Sequence, residues 1–473
     1  MMTNHGFQPG RRAALRSMAC GFGALAFAGM TGLAGGPLAA RPPGVRARAK
    51  RVIFLFMQGG PSQVDTFDPK PLLARHDGQQ MPFDDARVIA NTGRAASAQR
   101  VMRSPWGFRQ HGQSGRWVSE LFPNMARWVD RLCFLQGMHT EGVAHGPATL
   151  FLHCGSTQFV RPSMGSWVSY GLGTANENLP AFVTLSPSLG NGGARNWGPA
   201  FLPPVHQGTP LGVAGRPARE MTLASLPAPG SDPATRRRAF ELVQAINREQ
   251  AVARPGDLAA EAVLHSYELA WRMQSEMPAL TDLSGESEST RRMYGIGEDA
   301  TDEFGRQCLV ARRLCEAGVR FVQVTYGDNT ANPRWDQHSD LPRHAVHARA
   351  TDLPVAGLIA DLERRGLLDD TLVWWGAEFG RTPYAERDGT GRDHNPGGFT
   401  VWLAGGGVRA GMAWGGTDDF GHLATHGRVH MHDLHATVLH LLGLDHERLT
   451  FRHEGREHRL TDVHGEVVRP ILA

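Results

Sequence analysis

The segment RVIFLFMQGG, residues 51–60, indicates the fold class of this chain. A continuous apolar run that ends in a glycine-rich turn is typical of a strand buried on both faces of a parallel sheet. Helical patterns alternate with five further runs of the same kind, namely RLCFLQGM, AFVTLS, VRFVQVTY, TLVWWGAEFG and FTVWLAGGG. This alternation predicts an α/β fold with a mainly parallel central sheet flanked by helices.

Two regions depart from the alternation of strands and helices. Residues 187–300 begin as a Gly/Pro-rich, strand-poor stretch and become mostly helical and charged from about 233 to 280. We interpret them as an insertion that caps or flanks the sheet. Near the C-terminus, LTFRHEGREHRLTDV predicts a hairpin that turns at Glu454 and Gly455.

The N-terminal residues have the pattern of a twin-arginine export signal. Paired Arg11 and Arg12 precede a Gly/Ala-rich apolar segment, and PLAAR offers a small-residue cleavage site near Ala40. The sequence thus predicts a signal over residues 1–40, a Pro/Arg-rich linker over 41–50 and an α/β domain over 51–473. We expect export to the periplasm or cell surface, with no transmembrane span after cleavage. The alternative is an uncleaved membrane anchor, but the apolar run is too weak and too glycine-rich for a good membrane span.

The composition limits the class of function. The 473 residues carry a formal net charge of only +3, so nothing points to a nucleic-acid partner. The 22 His against five Tyr indicate metal, phosphate or sulfate chemistry, although a His-tolerant composition would give the same count. The four cysteines beyond the signal form no CxxC pair, which argues against a zinc–thiolate site and leaves disulfide pairing open.

Polar side chains capable of metal or anion binding follow the predicted strands. Ligands of parallel sheets sit beyond the carboxyl ends of the strands, so these side chains are expected to share one edge. The candidates are Ser62, Asp65, Asp336, His338, Glu378, Arg381, Arg392 and His394. Asp, Glu and His suit a divalent metal such as zinc, calcium, manganese or iron, and Arg suits a tetrahedral oxyanion. Alternatively, Asp65 forms a turn, and Glu378 and Arg381 form only an ion pair.

The segment EGVAHGPATLFLHCG, residues 141–155, adds His145 to these candidates. Pro147 at a first helical position and Gly155 just past the last turn predict a short helix that starts directly after His145. Unpaired N–H groups and the helix dipole make such a position favourable for anions. His145 is therefore a candidate catalytic group or metal ligand, and the alternative is an inert residue without a chemical role.

Several motifs together resemble the exported domain-of-unknown-function 1501 family, which is sulfatase-like and belongs to the alkaline-phosphatase superfamily. They span the chain from about Arg51 to Ala473 and include MQGGPSQVDTFDPKP, RPSMGSWVSYGLG, EFGRTP, GRDHNPGGF, LAGGGVRAG and HDLHATVLHLLGLDHERLT. The resemblance implies a metal site at the carboxyl ends of the strands and a nucleophile at a helix N-terminus. His145 stands at that nucleophile position. The positions of the superfamily's usual ligands are occupied by Gln58, Glu378-Phe379 and Ala404. The resemblance therefore does not imply the superfamily's two-metal centre for this chain.

Two functional hypotheses follow from the resemblance. In the first, the chain is a metal-dependent hydrolase of sulfate or phosphate esters with a rebuilt site that binds one or two metal ions. Its predicted ligands are Asp65, His145, Asp336, His338, Glu378 and His394, and Arg381 and Arg392 would hold the anionic or glycan ester. Activated water would attack the ester, unless His145 or Ser62 acts as a nucleophile. In the second, the scaffold binds an anionic ligand, such as a sulfated glycan, without turnover. The sequence does not exclude a surface or assembly protein.

Overall fold

The structure, a computed structural model, describes residues 38–82, 99–223, 232–253, 258–386 and 390–473. Most of the predicted export signal, residues 1–37, therefore lies outside the described residues. The strands are β1 Arg51–Met57, β2 Arg100–Val101, β3 Phe108–His111, β4 Arg116–Ser119, β5 Leu132–His139, β6 Phe182–Leu185, β7 Thr209–Leu211, β8 Phe321–Tyr326, β9 Thr371–Gly376, β10 Gly380–Ala385, β11 Arg392–Asn395, β12 Phe399–Ala404, β13 Met412–Trp414, β14 Gly416–Thr417, β15 Ala424–His426, β16 Val429–His430, β17 Phe451–His453 and β18 Arg456–His458. The α-helices are α1 Gln63–Thr66, α2 Pro71–Arg75, α3 His145–Cys154, α4 Met164–Leu172, α5 Pro233–Ala253, α6 Leu258–Thr281, α7 Glu288–Met293, α8 Asp302–Glu316, α9 His344–Arg364 and α10 Met431–Leu441.

A central sheet with the strand order β13-β5-β12-β9-β1-β8-β6-β7 organises the chain, and β16 also pairs with β5. Strand β1 lies at its centre and is parallel to β8 on one side and to β9 on the other. Strand β12 runs antiparallel to both β5 and β9. The predicted α/β fold with a mainly parallel sheet is confirmed, with β12 as the antiparallel strand.

Alternate side chains of β1 enter two separate hydrophobic cores, which explains its unbroken apolar pattern. Ile53 and Leu55 pack in a core with α8 and α9 on one face of the sheet. Phe54 and Phe56 pack in a core with α4 and α10 on the other face. Each fully buried side chain of this size contributes roughly 1.5–3 kcal/mol, so both layers of helices are needed to stabilise the central strand.

The region 187–300 only partly matches its prediction. Helices α5 and α6 account for the predicted helical segment, but the Gly/Pro-rich stretch before them contributes β7, which pairs in parallel with β6 at the edge of the main sheet. The stretch therefore extends the sheet as well as covering it. Directly before β5, the chain forms a 3₁₀-helix over Met125–Arg131.

The predicted C-terminal hairpin is present as the antiparallel pair β17 and β18. Its two turn residues both have positive φ, 47° at Glu454 and 83° at Gly455. Two consecutive positive φ values are the geometry of a two-residue hairpin loop whose twist matches the strands.

The sequence left open whether the cysteines beyond the signal form disulfides. In the described chain, Cys133, Cys154, Cys308 and Cys315 are buried and free.

Candidate metal centre

Loops and strand ends at one edge of the sheet deliver the polar side chains of the site. His145 is the first residue of α3, because the helix begins at His145 with Ala144 as its N-cap, and not after His145 as the sequence predicted. Gly155 closes that helix with a left-handed φ of 69°, as expected. Asp336 and His338 follow β8 in the chain, and His394 lies on β11.

Four of these side chains converge on one point. Ligand atoms of His145, Asp336, His338 and His394 all lie within 4.8 Å of one another. The Nε2 atom of His145 is 3.2 Å from Oδ2 of Asp336, and the Nε2 atoms of His338 and His394 are 2.8 and 3.3 Å from Oδ1. Three imidazole rings thus turn the same nitrogen towards a single carboxylate.

The other ring nitrogen of each histidine contacts an acceptor oxygen. Nδ1 of His145 lies 2.7 Å from Oε1 of Glu378, and Nδ1 of His394 lies 3.0 Å from the carbonyl oxygen of Val143. Nδ1 of His338 contacts Oε2 of Glu386. A carbonyl or carboxylate can only accept, so each ring, when it is neutral, carries its proton on Nδ1 and presents a lone pair on Nε2.

This arrangement fits a divalent cation. The Nε2 atoms of His338 and His394 are 3.0 Å apart, and two nitrogen lone pairs at that distance require a cation or a proton between them. Nitrogen ligands about 2.1 Å from a tetrahedral metal would be about 3.4 Å apart, a few tenths of an ångström more than this separation. Nε2 of His145 is buried, and its charged neighbour is Oδ2 of Asp336 at 3.2 Å. Three imidazoles and a carboxylate suit zinc, iron or manganese better than calcium, which prefers oxygen ligands.

The electrostatics of the group favour a bound cation. Burial raises the pKa of Asp336, but Arg381 and the three histidines outweigh burial and hold that pKa well below its ordinary value. Burial lowers the pKa of His394 to about 3, despite its contact with Asp336. Asp336 is therefore ionised and His394 neutral at neutral pH, and these are the protonation states in which they coordinate a metal.

Glu378 contacts His145 from outside the group of four ligands. Its side chain is 0% exposed, and both carboxylate oxygens accept from the backbone N–H of Gly59, at 3.0 and 3.2 Å. Gly59 has a φ of 112°, and a Cβ atom there would lie 2.7 Å from the backbone nitrogen of Asp336. The glycine after β1 therefore lets the loop that carries Asp336 approach Glu378. Glu378 orients His145 and lies outside the group of four converging ligands.

An open cleft of about 450 Å³ lies over the four ligands. Its other lining residues in the described chain are Ala144, Gly146, Asn191, Ala331, Asn332 and Glu386. None of these lining side chains carries a hydroxyl or thiol, so the described part of the cleft holds no serine, threonine or cysteine nucleophile.

Arg381 does not have the accessibility that an anion-binding residue needs. Its side chain is 0% exposed and donates to the carbonyl oxygens of Gly60 and Arg392 and to Oδ1 of Asp336 at 2.7 Å. The predicted role in holding an ester is therefore corrected. Arg381 fixes the loop after β1 and neutralises the Asp336 carboxylate.

Ser62, Asp65 and Arg392 form a separate buried group. Nε and Nη2 of Arg392 donate to the two oxygens of Asp65 at 2.7 and 3.2 Å, and Ser62 Oγ donates to Asp65 Oδ2. All three side chains are 0% exposed. The structure thus corrects their expected roles as ester holder, metal ligand and nucleophile, because the ion pair saturates the carboxylate and the site excludes substrate.

Sequence reasoning missed Glu386 and left Asp393 without a role. Together with His338 they form a second group of possible ligand atoms. Burial raises the pKa of Asp393, and its Oδ2 atom has no hydrogen-bond partner among the described residues. Asp393 precedes a predicted ligand in the sequence, but Glu386 could not be singled out because its position depends on how β10 pairs with β11.

Comparison with known protein families identifies the family of this chain. The profile described as "Protein of unknown function (DUF1501)" matches residues 49–472. The chain belongs to the DUF1501 family. No curated protein matches its sequence. Within the described ranges of this DUF1501 member, no helix has both the length and the apolarity to cross a membrane.

Solved structures of sulfatases and alkaline phosphatases are distantly similar to this DUF1501 chain. The PsFucS1 sulfatase from Pseudoalteromonas sp. is 13% identical with a TM-score of 0.33, covering 93% of this chain and 73% of that one. Ps i-CgsB is 13% identical with a TM-score of 0.36, covering 84% and 72%. The alkaline phosphatase from the Antarctic bacterium TAB5 is 8% identical with a TM-score of 0.31, covering 78% and 94%.

Proposed function

We propose that this protein is a metal-dependent hydrolase of sulfate or phosphate esters. His145, Asp336, His338 and His394 hold the cation, and Glu378 and Glu386 orient two of these histidines. The observation that carries the proposal is the convergence of three imidazole Nε2 atoms on one carboxylate at the wall of an open cleft. Such a bound cation would act as a Lewis acid towards the ester and would activate water.

The chain's own residues favour water as the attacking group. His145 stands where a hydroxyl or thiol nucleophile would be expected from the family resemblance, and its Nδ1 proton is held by Glu378. The described cleft lining offers no alternative nucleophile. His145 therefore acts as a ligand, and the reaction proceeds without a covalent intermediate on the protein.

A non-catalytic scaffold that binds an anion or glycan is the second candidate. The missing nucleophile at the start of α3 favours it. The burial of Arg381 and Arg392 removes from both candidates the cations that were expected to hold an anionic ligand. The two candidates differ in turnover, not in metal binding.

The proposal also includes export of the protein by the twin-arginine route. Residues 1–40 act as a twin-arginine signal, and the domain over 51–473 works in the periplasm or at the cell surface. Replacing both Arg11 and Arg12 by Lys should retain the protein in the cytoplasmic fraction, where the unaltered chain would be absent. Equal distribution of both forms would contradict the proposed route.

The experiment that tests the function combines metal analysis with ester hydrolysis. The purified protein should contain a near-stoichiometric transition metal by elemental analysis. It should release 4-nitrophenol from 4-nitrophenyl sulfate, 4-nitrophenyl phosphate or bis(4-nitrophenyl) phosphate, and a chelator should abolish this release. Bound metal without turnover of any ester would favour the scaffold, and a failure to bind metal after reloading would overturn both the centre and the hydrolase.

A further inference from the structure

One face of helix α5 packs against α6. The ring of Phe240 stacks on that of Trp271, with the centroids 4.8 Å apart, and Nε2 of the buried Gln244 donates to the carbonyl oxygen of Leu264 at 3.2 Å. Each residue of an α-helix advances about 100° around its axis, so residues half a turn from Phe240 and Gln244 point away from α6. Helix α5 therefore turns its other face outward.

The outward face carries a stripe of exposed residues with the spacing of a coiled-coil seam. Its members follow one another alternately three and four positions apart, and they are Thr235, Arg238, Leu242, Ala245, Glu249 and Val252. Within or beside this α5 stripe, Leu242, Ile246 and Val252 are 64%, 48% and 81% exposed. Single exposed apolar residues are ordinary, but apolar residues at this spacing on one helix face indicate packing against another helix.

The charges of the α5 stripe make it complementary to itself. Arg238 and Glu249 lie equally far along the helix from the midpoint between Leu242 and Ala245. When two copies of α5 pack antiparallel about this midpoint, Arg238 faces Glu249 of the partner subunit on both sides. Leu242 then faces Ala245 of the partner subunit at the centre. Parallel packing would bring like charges together, so the charge pattern selects the antiparallel arrangement.

Both charged side chains of the stripe are available for these contacts. Arg238 donates to Oγ1 of Thr235 at 3.2 Å, and neither Arg238 nor Glu249 has an ion-pair partner among the described residues. Arg237, outside the stripe, is already paired with Glu241 at 2.7 Å. A lipid surface does not fit this face, because Arg238 and Glu249 lie within the stripe and would lose their hydration there.

We propose that the α5 stripe is a homodimer interface, in which α5 packs antiparallel against α5 of a second copy of this chain about a two-fold axis. A two-fold interface uses the same surface on both subunits, as this stripe requires. One pair of helices forms a small interface, so we expect a dimer in reversible equilibrium with the monomer. The inference does not depend on the metal centre.

Sedimentation equilibrium of the purified full chain at low ionic strength, at concentrations up to about 1 mM, tests the interface. The unaltered chain should show a monomer–dimer equilibrium. R238E and E249R should each raise the dimer dissociation constant by roughly 10-fold or more, because both symmetry-related ion pairs become like-charge contacts. The double variant R238E/E249R reverses both members of each pair and should recover the dissociation constant of the unaltered chain.

The variant R349E is the matched control for the charge reversal. Arg349 is an exposed arginine on α9, so the same change of charge is made away from the α5 stripe. R349E should dimerise like the unaltered chain. A loss of affinity equal to that of R238E would indicate an effect of net charge and would overturn the assigned contact.

Disulfide cross-linking checks the orientation of the two helices. The cysteines of R238C/E249C are eleven positions apart on α5, roughly 16 Å, and cannot bridge within one chain. Oxidation should link two copies of this double variant, and R238C alone should stay unlinked. Efficient linking of R238C alone would mean parallel helices and would contradict the two-fold arrangement.

Three results of sedimentation would also overturn the inference. A chain that stays monomeric over the whole concentration range would leave the α5 stripe to a different partner. A dimer that does not respond to R238E or E249R would place the interface elsewhere. A double variant that fails to recover the affinity would reject the pairing of Arg238 with Glu249 of the partner subunit. All three are distinguishable from failure of the proposed function, which is judged by metal content and ester turnover.

Discussion

The Nε2 atoms of His338 and His394 lie 3.0 Å apart, so either a proton or a cation lies between them. The Nδ1 atoms of both rings contact acceptors, Glu386 and the carbonyl oxygen of Val143. Two lone pairs held face to face repel each other unless a proton or a cation lies between them. This relationship, more than the presence of histidine, makes the cluster a candidate metal centre.

The first prediction concerns the ligands. H394A should lower the affinity for zinc by more than about 100-fold, because loss of a ligand costs more than the 10- to 100-fold loss typical of outer partners. Metal titration by calorimetry measures this change. H446A is a suitable control, since His446 contacts Thr461 Oγ1 at 3.0 Å and belongs to neither group of possible ligands in the described chain. Equal zinc affinity in H394A and the unaltered protein would remove His394 from the centre.

Glu378 should raise the affinity for the metal without binding the metal itself. E378Q removes the charge that receives the His145 Nδ1 proton but keeps the shape, so zinc affinity should fall by roughly 10- to 100-fold. The control is E286Q, which neutralises a partly buried glutamate bound by Arg312 and Arg313. A similar loss of affinity in both variants would indicate a general electrostatic effect and not orientation of His145.

The buried pair of Asp65 and Arg392 should be structural. R392M leaves an unpaired carboxylate in a site that is 0% exposed, so the free energy of unfolding should fall by about 3–5 kcal/mol. The double variant D65L/R392M should be less destabilised than the sum of the single variants, because both charges are removed. Chemical denaturation of the metal-free proteins measures both effects. Loss of bound metal from folded D65L would instead make Asp65 part of the centre.

Acid sensitivity should come partly from buried histidines remote from the centre. Burial lowers the pKa of His435 to about 3, and its Nε2–H donates to the carbonyl oxygen of Leu152 at 2.8 Å. The unfolded chain binds this proton below about pH 6.5 and the folded chain only near pH 3. Unfolding is therefore linked to proton uptake between these values, and stability falls as the pH drops from about 6.5 towards 3.

The variant H435Q keeps a donor for Leu152 and removes the titrating ring. Its free energy of unfolding, measured by denaturation of metal-free protein from pH 7 to pH 4, should depend less steeply on pH by up to about 1.4 kcal/mol per pH unit. H426Q, at an exposed histidine, is the control. An unchanged slope in H435Q would mean that His435 does not contribute to acid denaturation.

The fold was largely predictable because its signals are local. The apolar runs around Phe54 and Val322 had to be buried on both faces, and the helices between them follow from their own spacing. The Gly/Pro-rich stretch does not predict the strand β7, because the three residues Thr209–Leu211 are defined by pairing with distant segments, chiefly β6. A short edge strand has too few side chains to give a pattern of its own.

The site was predictable in its residue types and only partly in its membership. Asp336, His338 and His394 follow or lie on strands at the expected edge, and His145 begins the expected helix. Arg392 and His394 are two positions apart on the same strand, yet one forms a buried ion pair and the other faces the cleft. Spacing along a chain cannot separate these outcomes, because each depends on which side chain lies opposite.

The sequence by itself determined the layers, the position of the strand-end loops and the supply of carboxylate and imidazole groups, because these follow from hydrophobic periodicity and turn residues. The tertiary structure alone decided which groups meet. It paired Asp65 with Arg392, Asp336 with Arg381 and His145 with Glu378, all across more than forty positions of sequence. A buried charge takes the partner that folding brings within a few ångströms, and that distance has no local signature in the chain.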